Sequence, residues 1–276
     1  MTLKNIIWLA SYPKSGNTWT RVFLANYIFN PAEPMPINQV HRLGMGDATA
    51  KAYLMVASGH FNPADNALTL GLRPKMLRGI VNNRADINFV KSHNIKGKAF
   101  GQNLIPVELT KRAVYIVRDP RDMVISYASH YGHTLDDAIE SISRSDTTVT
   151  GGGELVTQYL GGWSDHVKAW TKASDFPVLA QRYEDMISSP KESFQKLLKF
   201  IGLPIEEEKL QRAISFSSIG EMQKQEKVQP FIERSAKTDT FFGRGTSGHW
   251  REVLSEQQSR RIEEAHGPTM RKFGYL

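Results

Sequence analysis

Residues 11–19 have the composition of an anion-binding turn, because they read Ser-Tyr-Pro-Lys-Ser-Gly-Asn-Thr-Trp. A turn of small residues that opens a helix points several backbone N–H groups at one spot, and the helix dipole favours an anion there. Lys14 adds a full positive charge. The lysine precedes the single glycine, Gly16, which departs from the Gly-x-x-x-x-Gly-Lys-Ser/Thr loop of nucleotide kinases. The turn therefore indicates a site for an anionic group, with an ordinary strand-to-helix turn as the alternative.

Two more polar clusters follow short apolar runs further along the chain. Residues 91–93 read Lys-Ser-His after the run 87–90, and Arg118 opens the sequence Arg-Asp-Pro after the run 113–117. A histidine could accept a proton near neutral pH, because the ordinary pKa of imidazole is about 6.5. An arginine offers a planar fork of donors for phosphate oxygens. The alternatives are a plain surface or core position for one histidine of eight, and a surface ion pair for the arginine.

The elements that must position these clusters alternate between strands and helices. The apolar run 6–10 reads as a buried parallel strand, and the apolar residues after the turn recur at helical spacing up to Tyr27. Asp119 can cap a second helix, which Pro120 opens, so the strand, loop, helix order repeats. A fourth strand is expected at 177–180. This pattern predicts an α/β fold in which helices cover both faces of a parallel sheet and ligands bind at the carboxyl ends of its strands.

Composition narrows the class of protein and of partner. The 276 residues, 40% of them hydrophobic, suffice for a single domain spanning 1–276, with two smaller domains as the alternative. The absence of cysteine excludes disulfides, cysteine–zinc sites and thiol nucleophiles. The net charge of +7 suits an anionic ligand. Because the 35 basic residues are spread along the chain, we expect a phosphorylated small molecule and no nucleic acid.

Neither a membrane anchor nor a metal site is expected. The apolar run 6–10 is too short for a signal-peptide core or a membrane span, so we expect a cytoplasmic location. His130 and His133 have the i, i+3 spacing of metal ligands, but the sequence places no third ligand near them.

Five strings in the same order along the chain carry a family resemblance. The string SYPKSGNTW at 11–19 looks like the motif TYPKSGTTW of the PAPS-dependent sulfotransferases of the cytosolic type, where PAPS is 3'-phosphoadenosine 5'-phosphosulfate. The other matches are INFVKSH, VYIVRDPRDMVIS, Tyr-Glu-Asp and GTSGHW at 87–93, 114–126, 183–185 and 245–250. The resemblance implies a P-loop-kinase-like sulfotransferase fold. It also implies metal-independent transfer of a sulfuryl group from PAPS to a hydroxyl, or less readily an amine, of a small-molecule, lipid or glycoside acceptor, with release of PAP.

The resemblance assigns a role to each matching position. His93 becomes the general base, and Lys14 and Lys91 stabilise charge on the reacting groups. Arg118 and Ser126 become ligands of the 3' phosphate, and Trp19 stacks on adenine, where a core position is the alternative. The remaining donor-binding positions that the resemblance implies are Ser15, Gly16, Asn17, Thr18, Tyr183, Ser215, Phe216, Arg244 and Gly245.

Three positions depart from the family pattern. Asn17 replaces a threonine, with little loss expected because its backbone N–H is the contact. Ile214 stands where a threonine is common, which puts one polar contact to the base in doubt. Gly243 replaces an arginine beside Arg244. Either Arg244 makes both contacts to the 3' phosphate, or another basic residue folds in, with Arg234 and Lys237 as the candidates.

Two other functions fit parts of the pattern. A nucleotide kinase would share the strand, loop, helix unit but needs a metal-organising loop that the sequence lacks. A nucleotide-binding module without chemistry would keep Lys14 and Arg118 but have no use for His93. The acceptor stays open, although we expect residues 31–85, 127–165 and 220–243 to shape its pocket. The oligomeric state also stays open, a homodimer being one option.

Overall fold

The computed structural model describes residues 4–83, 85–173 and 175–276. Nine short strands occur among these residues. In chain order they are β1 (Ile6–Ser11), β2 (Gly44–Gly46), β3 (Asn88–Ser92), β4 (Lys98–Ala99), β5 (Gln102–Asn103), β6 (Thr110–Val117), β7 (Thr148–Val149), β8 (Gln158–Tyr159) and β9 (Val178–Arg182).

Helices account for much of the remaining described chain, together with one 3-10 helix at Ile37–Arg42. The α-helices are α1 (Asn17–Phe29), α2 (Ala50–Leu54), α3 (Asn66–Val81), α4 (Pro120–Tyr131), α5 (Leu135–Ser143), α6 (Trp163–Thr171), α7 (Tyr183–Ser188), α8 (Pro190–Ile201), α9 (Glu207–Phe216), α10 (Ile219–Val228), α11 (Trp250–Val253) and α12 (Glu256–Lys272).

A five-stranded parallel sheet in the order β2-β3-β1-β6-β9 is the centre of the fold. The register of β1 against β3 pairs Ile6 with Asn88 and Ala10 with Ser92. Every residue of β1 is buried, as expected for an inner strand of a parallel sheet. The α/β prediction is confirmed. The sequence did not predict β2, because the segment Gly-Met-Gly has a single apolar residue.

The predicted start of α4 is confirmed in detail. Asp119 is its N-cap and accepts a hydrogen bond from the backbone N–H of Arg121 at 3.0 Å. Pro120 takes the first helical position, where its missing N–H costs nothing. The segment that carries Arg118 therefore passes directly from strand to helix.

Contacts divide the described chain into two compact units. The strand unit comprises the described residues of Met1–Tyr12, Gly44–Tyr115 and Arg144–Ala180. The helix unit comprises Pro13–Leu43, Ile116–Ser143 and Gln181–Leu276. Each unit collects three separate stretches of chain, so the units are not consecutive domains. The prediction of one domain over 1–276 stays a prediction.

The helix unit has an aromatic-rich core. Phe23 of α1 stacks on Phe194 of α8 with ring centroids 3.8 Å apart. A second cluster holds Trp19, Phe241 and Phe242 against apolar residues of α1, α10 and the 3-10 helix. Within the described part of the chain, no helix is both long and apolar enough to cross a membrane.

Candidate active site

At one position of the turn between β1 and α1, the backbone conformation suits only glycine. Gly16 is the N-cap of α1 and has φ of 103°, a conformation that L side chains rarely adopt. A Cβ atom at Gly16 would lie 2.6 Å from Cδ2 of Tyr183. Gly16 has no side chain, so no N-cap side chain accepts a hydrogen bond from the first turn of α1. The geometry is that of a helix N-terminus prepared for an anion.

Lys14 is held in this turn by its backbone and by an aromatic ring. Its φ is 65°, and its carbonyl oxygen accepts a hydrogen bond from Nη1 of Arg118 at 3.1 Å. The ammonium group lies 3.6 Å from the ring centroid of Phe241. The neighbouring hydroxyl of Ser15 is buried and meets no hydrogen-bonding group of the described chain. A buried hydroxyl of this kind fits a site that a polar ligand fills.

Arg118 and Trp19 both contact the aromatic ring of Tyr183 in the helix unit. The guanidinium of Arg118 lies 4.5 Å from the ring centroid of Tyr183, within the range of a cation–π contact. Trp19 packs edge-on against Tyr183 and Phe194, with centroid distances of 5.7 and 5.8 Å. Burial raises the pKa of the Tyr183 phenol, so Tyr183 stays neutral beside Arg118. Ser126 is half-buried on α4.

Two carboxylates that the sequence did not single out anchor the segment 241–250. Asp122 of α4 accepts hydrogen bonds from the backbone N–H of Gly248 at 2.6 Å and of Trp250 at 2.8 Å. Glu226 of α10 accepts from the backbone N–H of Phe241 at 2.7 Å and of Phe242 at 3.0 Å. Such charge-assisted bonds fix a segment whose residues 241–249 lie outside any helix or strand. The anchors thereby place Phe241 over Lys14.

Arg244, one of the predicted donor-binding residues, is exposed. The Arg244 side chain is 66% exposed and pairs with Glu252 at 3.1 Å. Gly245 has φ of 67°, and a Cβ there would lie 2.6 Å from Cγ1 of Ile219. Arg234 donates to the carbonyl oxygens of Thr238 and Asp239 at 2.9 and 3.1 Å, so its guanidinium is engaged with its own loop.

The other predicted donor contacts lie on nearby helices. Ser215 and Phe216 end α9, where the serine is exposed and the phenylalanine half-buried. Ser126 lies on α4, the helix that Asp119 caps. The donor-binding roles of these three residues stay predictions, as do those of Asn17 and Thr18, which occupy the buried first turn of α1.

His93 lies in the strand unit, one residue beyond β3. Its Nδ1 is 2.8 Å from the backbone carbonyl oxygen of Ser11, the last residue of β1. A carbonyl oxygen only accepts, so Nδ1 donates, and Nε2 is the nitrogen of the neutral ring that can take a proton. Lys91 is half-buried on β3, and its carbonyl oxygen accepts from the backbone N–H of Asp47 at 2.9 Å.

A buried acid holds the residues on either side of His93. Oδ2 of Asp47 accepts from the hydroxyl of Ser92 at 2.8 Å and from the amide of Asn94 at 3.0 Å. The same oxygen pairs with Arg73 at 2.5 Å, and both charged side chains are almost fully buried. A buried charge needs such partners, so the carboxylate, the guanidinium and the end of β3 form one connected network. No local pattern of residues around Asp47 singled it out in the sequence.

The residues that the structure describes include no candidate metal site, defined as a group of three or more histidine, aspartate or glutamate side chains. His130 and His133, the pair with i, i+3 spacing, belong to no such group among these residues. The helix unit offers backbone donors and cations at the start of α1, and the strand unit offers one oriented imidazole at the end of β3.

Comparison with known proteins identifies the relatives of the chain. The family model of the sulfotransferase domain matches residues 4–274. Sulfotransferase 1 family member D1 of mouse is 25% identical over 274 residues, which cover 94% of this chain and 81% of that protein. Sulfotransferase 1A1 of dog is 22% identical, with 96% of this chain and 83% of that protein covered.

Solved structures share the fold. Retinol dehydratase in complex with androsterone and the inactive cofactor PAP has a TM-score of 0.65 at 19% identity, covering 98% of this chain and 81% of that chain. The mouse sulfotransferase SULT7A1 complexed with PAP has a TM-score of 0.61 at 19% identity, covering 97% and 85%. The expected sulfotransferase fold is confirmed. Since the family model spans nearly the whole chain, the protein belongs to the sulfotransferase domain family.

Proposed function

We propose that the protein transfers a sulfuryl group from PAPS to a hydroxyl group of a small-molecule acceptor and releases PAP. The observation that carries the proposal is the start of α1. There Lys14 lies two residues before the N-cap Gly16, and Arg118 donates a hydrogen bond to the Lys14 carbonyl. Cations and backbone donors of this kind suit a strongly anionic nucleotide. Two structural relatives were crystallised with PAP, which supports the same ligand here.

The donor would meet the protein at two places. Lys14 and the backbone N–H groups of residues 15–18 would hold the 5' phosphosulfate, and the buried hydroxyl of Ser15 fits an anionic partner. Arg118 and Ser126, with Arg244 and Gly245, would hold the 3' phosphate. Trp19, Tyr183, Ser215 and Phe216 would bind on the adenine side, where aromatic faces suit a base.

The transfer step needs a proton acceptor and charge stabilisation. The acceptor oxygen forms a bond to sulfur while the bond from sulfur to the bridging oxygen of PAPS breaks. The acceptor proton passes to Nε2 of His93, which is basic because Nδ1 donates to the Ser11 carbonyl. Lys14 and the start of α1 meet the charge that develops on the leaving phosphate, and Lys91 adds a second cation.

The proposed acceptor is a class of small molecules that carry a hydroxyl group. One solved structure of retinol dehydratase holds androsterone and another holds retinol, both small molecules. A hydroxyl acceptor agrees with a histidine base, because a hydroxyl must lose its proton as it attacks sulfur. We include lipid and glycoside hydroxyls and, less favoured, amines. A single domain over 1–276 and a cytoplasmic location complete the proposal.

An acceptor screen with sulfur-labelled PAPS tests this function. Wild-type protein should transfer label to at least one hydroxyl compound, and Lys14→Ala should abolish the transfer. Arg260→Ala is the control, because its side chain is 71% exposed on α12 and lies outside the segments expected to shape the acceptor pocket. The control should behave as wild type.

Ligand stabilisation separates this function from phosphoryl transfer. A ligand at 100 times its dissociation constant adds roughly 2.7 kcal/mol to the free energy of unfolding. PAP should raise the melting temperature, whereas ADP and ATP, with or without Mg²⁺, should raise it far less. Stabilisation by ATP with Mg²⁺ but not by PAP would contradict the proposal.

A further inference from the structure

His166 is a fully buried histidine of the strand unit that the proposed mechanism leaves unused. It lies on α6 with no exposed surface. Its Nε2 lies 3.1 Å from the backbone carbonyl oxygen of His93, and its Nδ1 lies 2.8 Å from the hydroxyl of Tyr115 on β6. One side chain thus connects the centre of the sheet to the backbone of the predicted base.

The partners of His166 allow one arrangement of its protons. The carbonyl oxygen of His93 only accepts, so Nε2 of His166 carries the hydrogen and donates. Nδ1 then accepts from Tyr115, whose hydroxyl keeps its proton because burial raises the phenol pKa well above 10. Burial also lowers the pKa of His166 to about 4, which keeps the ring neutral near neutral pH. The chain of donors therefore runs from Tyr115 through His166 to His93.

The hydrogen bonds around residue 93 show which part of His93 the bond from His166 holds. Asp47 holds the side chains of Ser92 and Asn94, and the indole of Trp170 donates to the carbonyl of Asn94 at 3.0 Å. The bond from His166 acts on the carbonyl of residue 93 itself. Fixing that carbonyl fixes the backbone of residue 93, and hence the direction in which its imidazole leaves the strand end. That direction brings Nδ1 of His93 to the Ser11 carbonyl.

We propose that His166, oriented by Tyr115, is a positioning residue that holds the His93 peptide so that Nδ1 of His93 donates to Ser11 and Nε2 faces the acceptor as the base. The inference rests on the proposed function for its chemical meaning. The tautomer of His93 that the inference predicts can be measured without any acceptor.

Two variants of His166 separate positioning from packing. His166→Leu fills the space but offers no donor to the His93 carbonyl. His166→Gln keeps an N–H donor at nearly the same distance from the backbone and an oxygen that can accept from Tyr115. His266→Leu is the matched control, since His266 is also a buried histidine, 2% exposed, on α12 of the helix unit.

Nitrogen NMR of histidine-labelled protein is the first measurement. Wild type and His266→Leu should show His93 with hydrogen on Nδ1, His166→Leu should show a mixture of tautomers, and His166→Gln should restore the wild-type signal. With an acceptor in hand, kcat of His166→Leu should fall roughly 10-fold or more, with PAP affinity unchanged, because a misplaced base loses alignment. His166→Gln should recover most of that rate.

Three results would overturn the inference. One is a folded His166→Leu protein with an unchanged His93 tautomer, and the second is a rate within twofold of wild type. The third is an equal loss of kcat in His166→Leu and His166→Gln, which would show a packing role.

If His166→Leu does not fold, Tyr115→Phe replaces it. That variant lets Nδ1 of His166 take the proton and should disturb the His93 tautomer in the same way. An unchanged tautomer there overturns the inference too. Failure of wild type to transfer sulfuryl groups would contradict the proposed function alone, since the tautomer is read without transfer.

Discussion

Arg118 donates a hydrogen bond from Nη1 to the backbone carbonyl of Lys14 at 3.1 Å, although 104 residues separate the two in sequence. The guanidinium also lies over the ring of Tyr183. The protein itself therefore sets the orientation of Arg118. Such preorganisation reduces the ordering cost of binding an anion.

The first prediction concerns this arginine. Arg118→Ala should weaken PAP binding by about 2–4 kcal/mol, because it removes charge-assisted bonds to a phosphate dianion. Arg118→Lys should recover only part of the loss, since an ammonium lacks the planar fork. Calorimetry on folded protein measures both, with the 71% exposed Arg260 as the site of a control alanine variant. Unchanged PAP affinity in Arg118→Ala would remove Arg118 from the site.

The second prediction concerns the backbone of the turn. Gly16→Ala should abolish PAP binding and lower the free energy of unfolding by about 1–3 kcal/mol, because the new Cβ would meet Tyr183 at 2.6 Å in a left-handed conformation. Gly220→Ala is the control, as a Cβ there meets nothing within 4 Å on α10. The control should be neutral or slightly stabilising. Wild-type PAP affinity in Gly16→Ala would show that the turn does not bind the donor.

The third prediction concerns the departure at Gly243. A Cβ at this position meets nothing within 4 Å, so the first atom of a side chain meets no clash there. Gly243→Arg should bind PAP as tightly as wild type or more tightly, because it adds a cation beside Arg244. Gly243→Ser serves as the control for the backbone change. A large loss of PAP affinity in Gly243→Arg alone would show that this loop does not meet the 3' phosphate.

The fourth prediction concerns stability against pH. Burial lowers the pKa of His166 to about 4 from its ordinary 6.5. Between these values the unfolded chain binds a proton that the folded chain does not, so the free energy of unfolding falls as the pH drops from about 6.5 to 4. At about 1.36 kcal/mol for each pKa unit, the contribution of this residue reaches roughly 3 kcal/mol. Urea unfolding of His166→Gln should show a shallower fall over this window. Parallel curves for the two proteins would contradict the buried neutral state of His166.

Local signals explain which parts of the fold and site could be predicted. The alternation of apolar runs with capped helices predicted the parallel sheet, and Asp119 and Pro120 gave the start of α4 because capping depends on adjacent residues. The turn at Lys14 was recognisable because its residue types occur together in sequence. The positions of Arg118 and His93 followed from their place after predicted strands.

Long-range partners explain what the sequence could not reveal. Asp122 bonds the N–H of Gly248, 126 residues away, and His166 bonds the carbonyl of His93, 73 residues away. In a sequence, an aspartate on a predicted helix is ordinarily interpreted as a solvent-exposed residue. A histidine on a helix is interpreted as an ordinary core or surface residue. The contact of Lys14 with Phe241 likewise depends on how Glu226 holds the later segment. Each of these roles is visible only when distant stretches of chain are brought together.

The most direct test of the account is the turnover number of His93→Ala, measured with sulfur-labelled PAPS and an identified acceptor. A base acts only as the acceptor proton departs, so kcat should fall at least about 10²-fold while PAP affinity, measured by calorimetry, stays within about twofold of wild type. Lys14→Ala, in contrast, should lose both, because its charge meets the donor in the ground state and the leaving phosphate in the transition state. Turnover by His93→Ala at a rate near that of wild type would contradict the account, since another group would then take the proton.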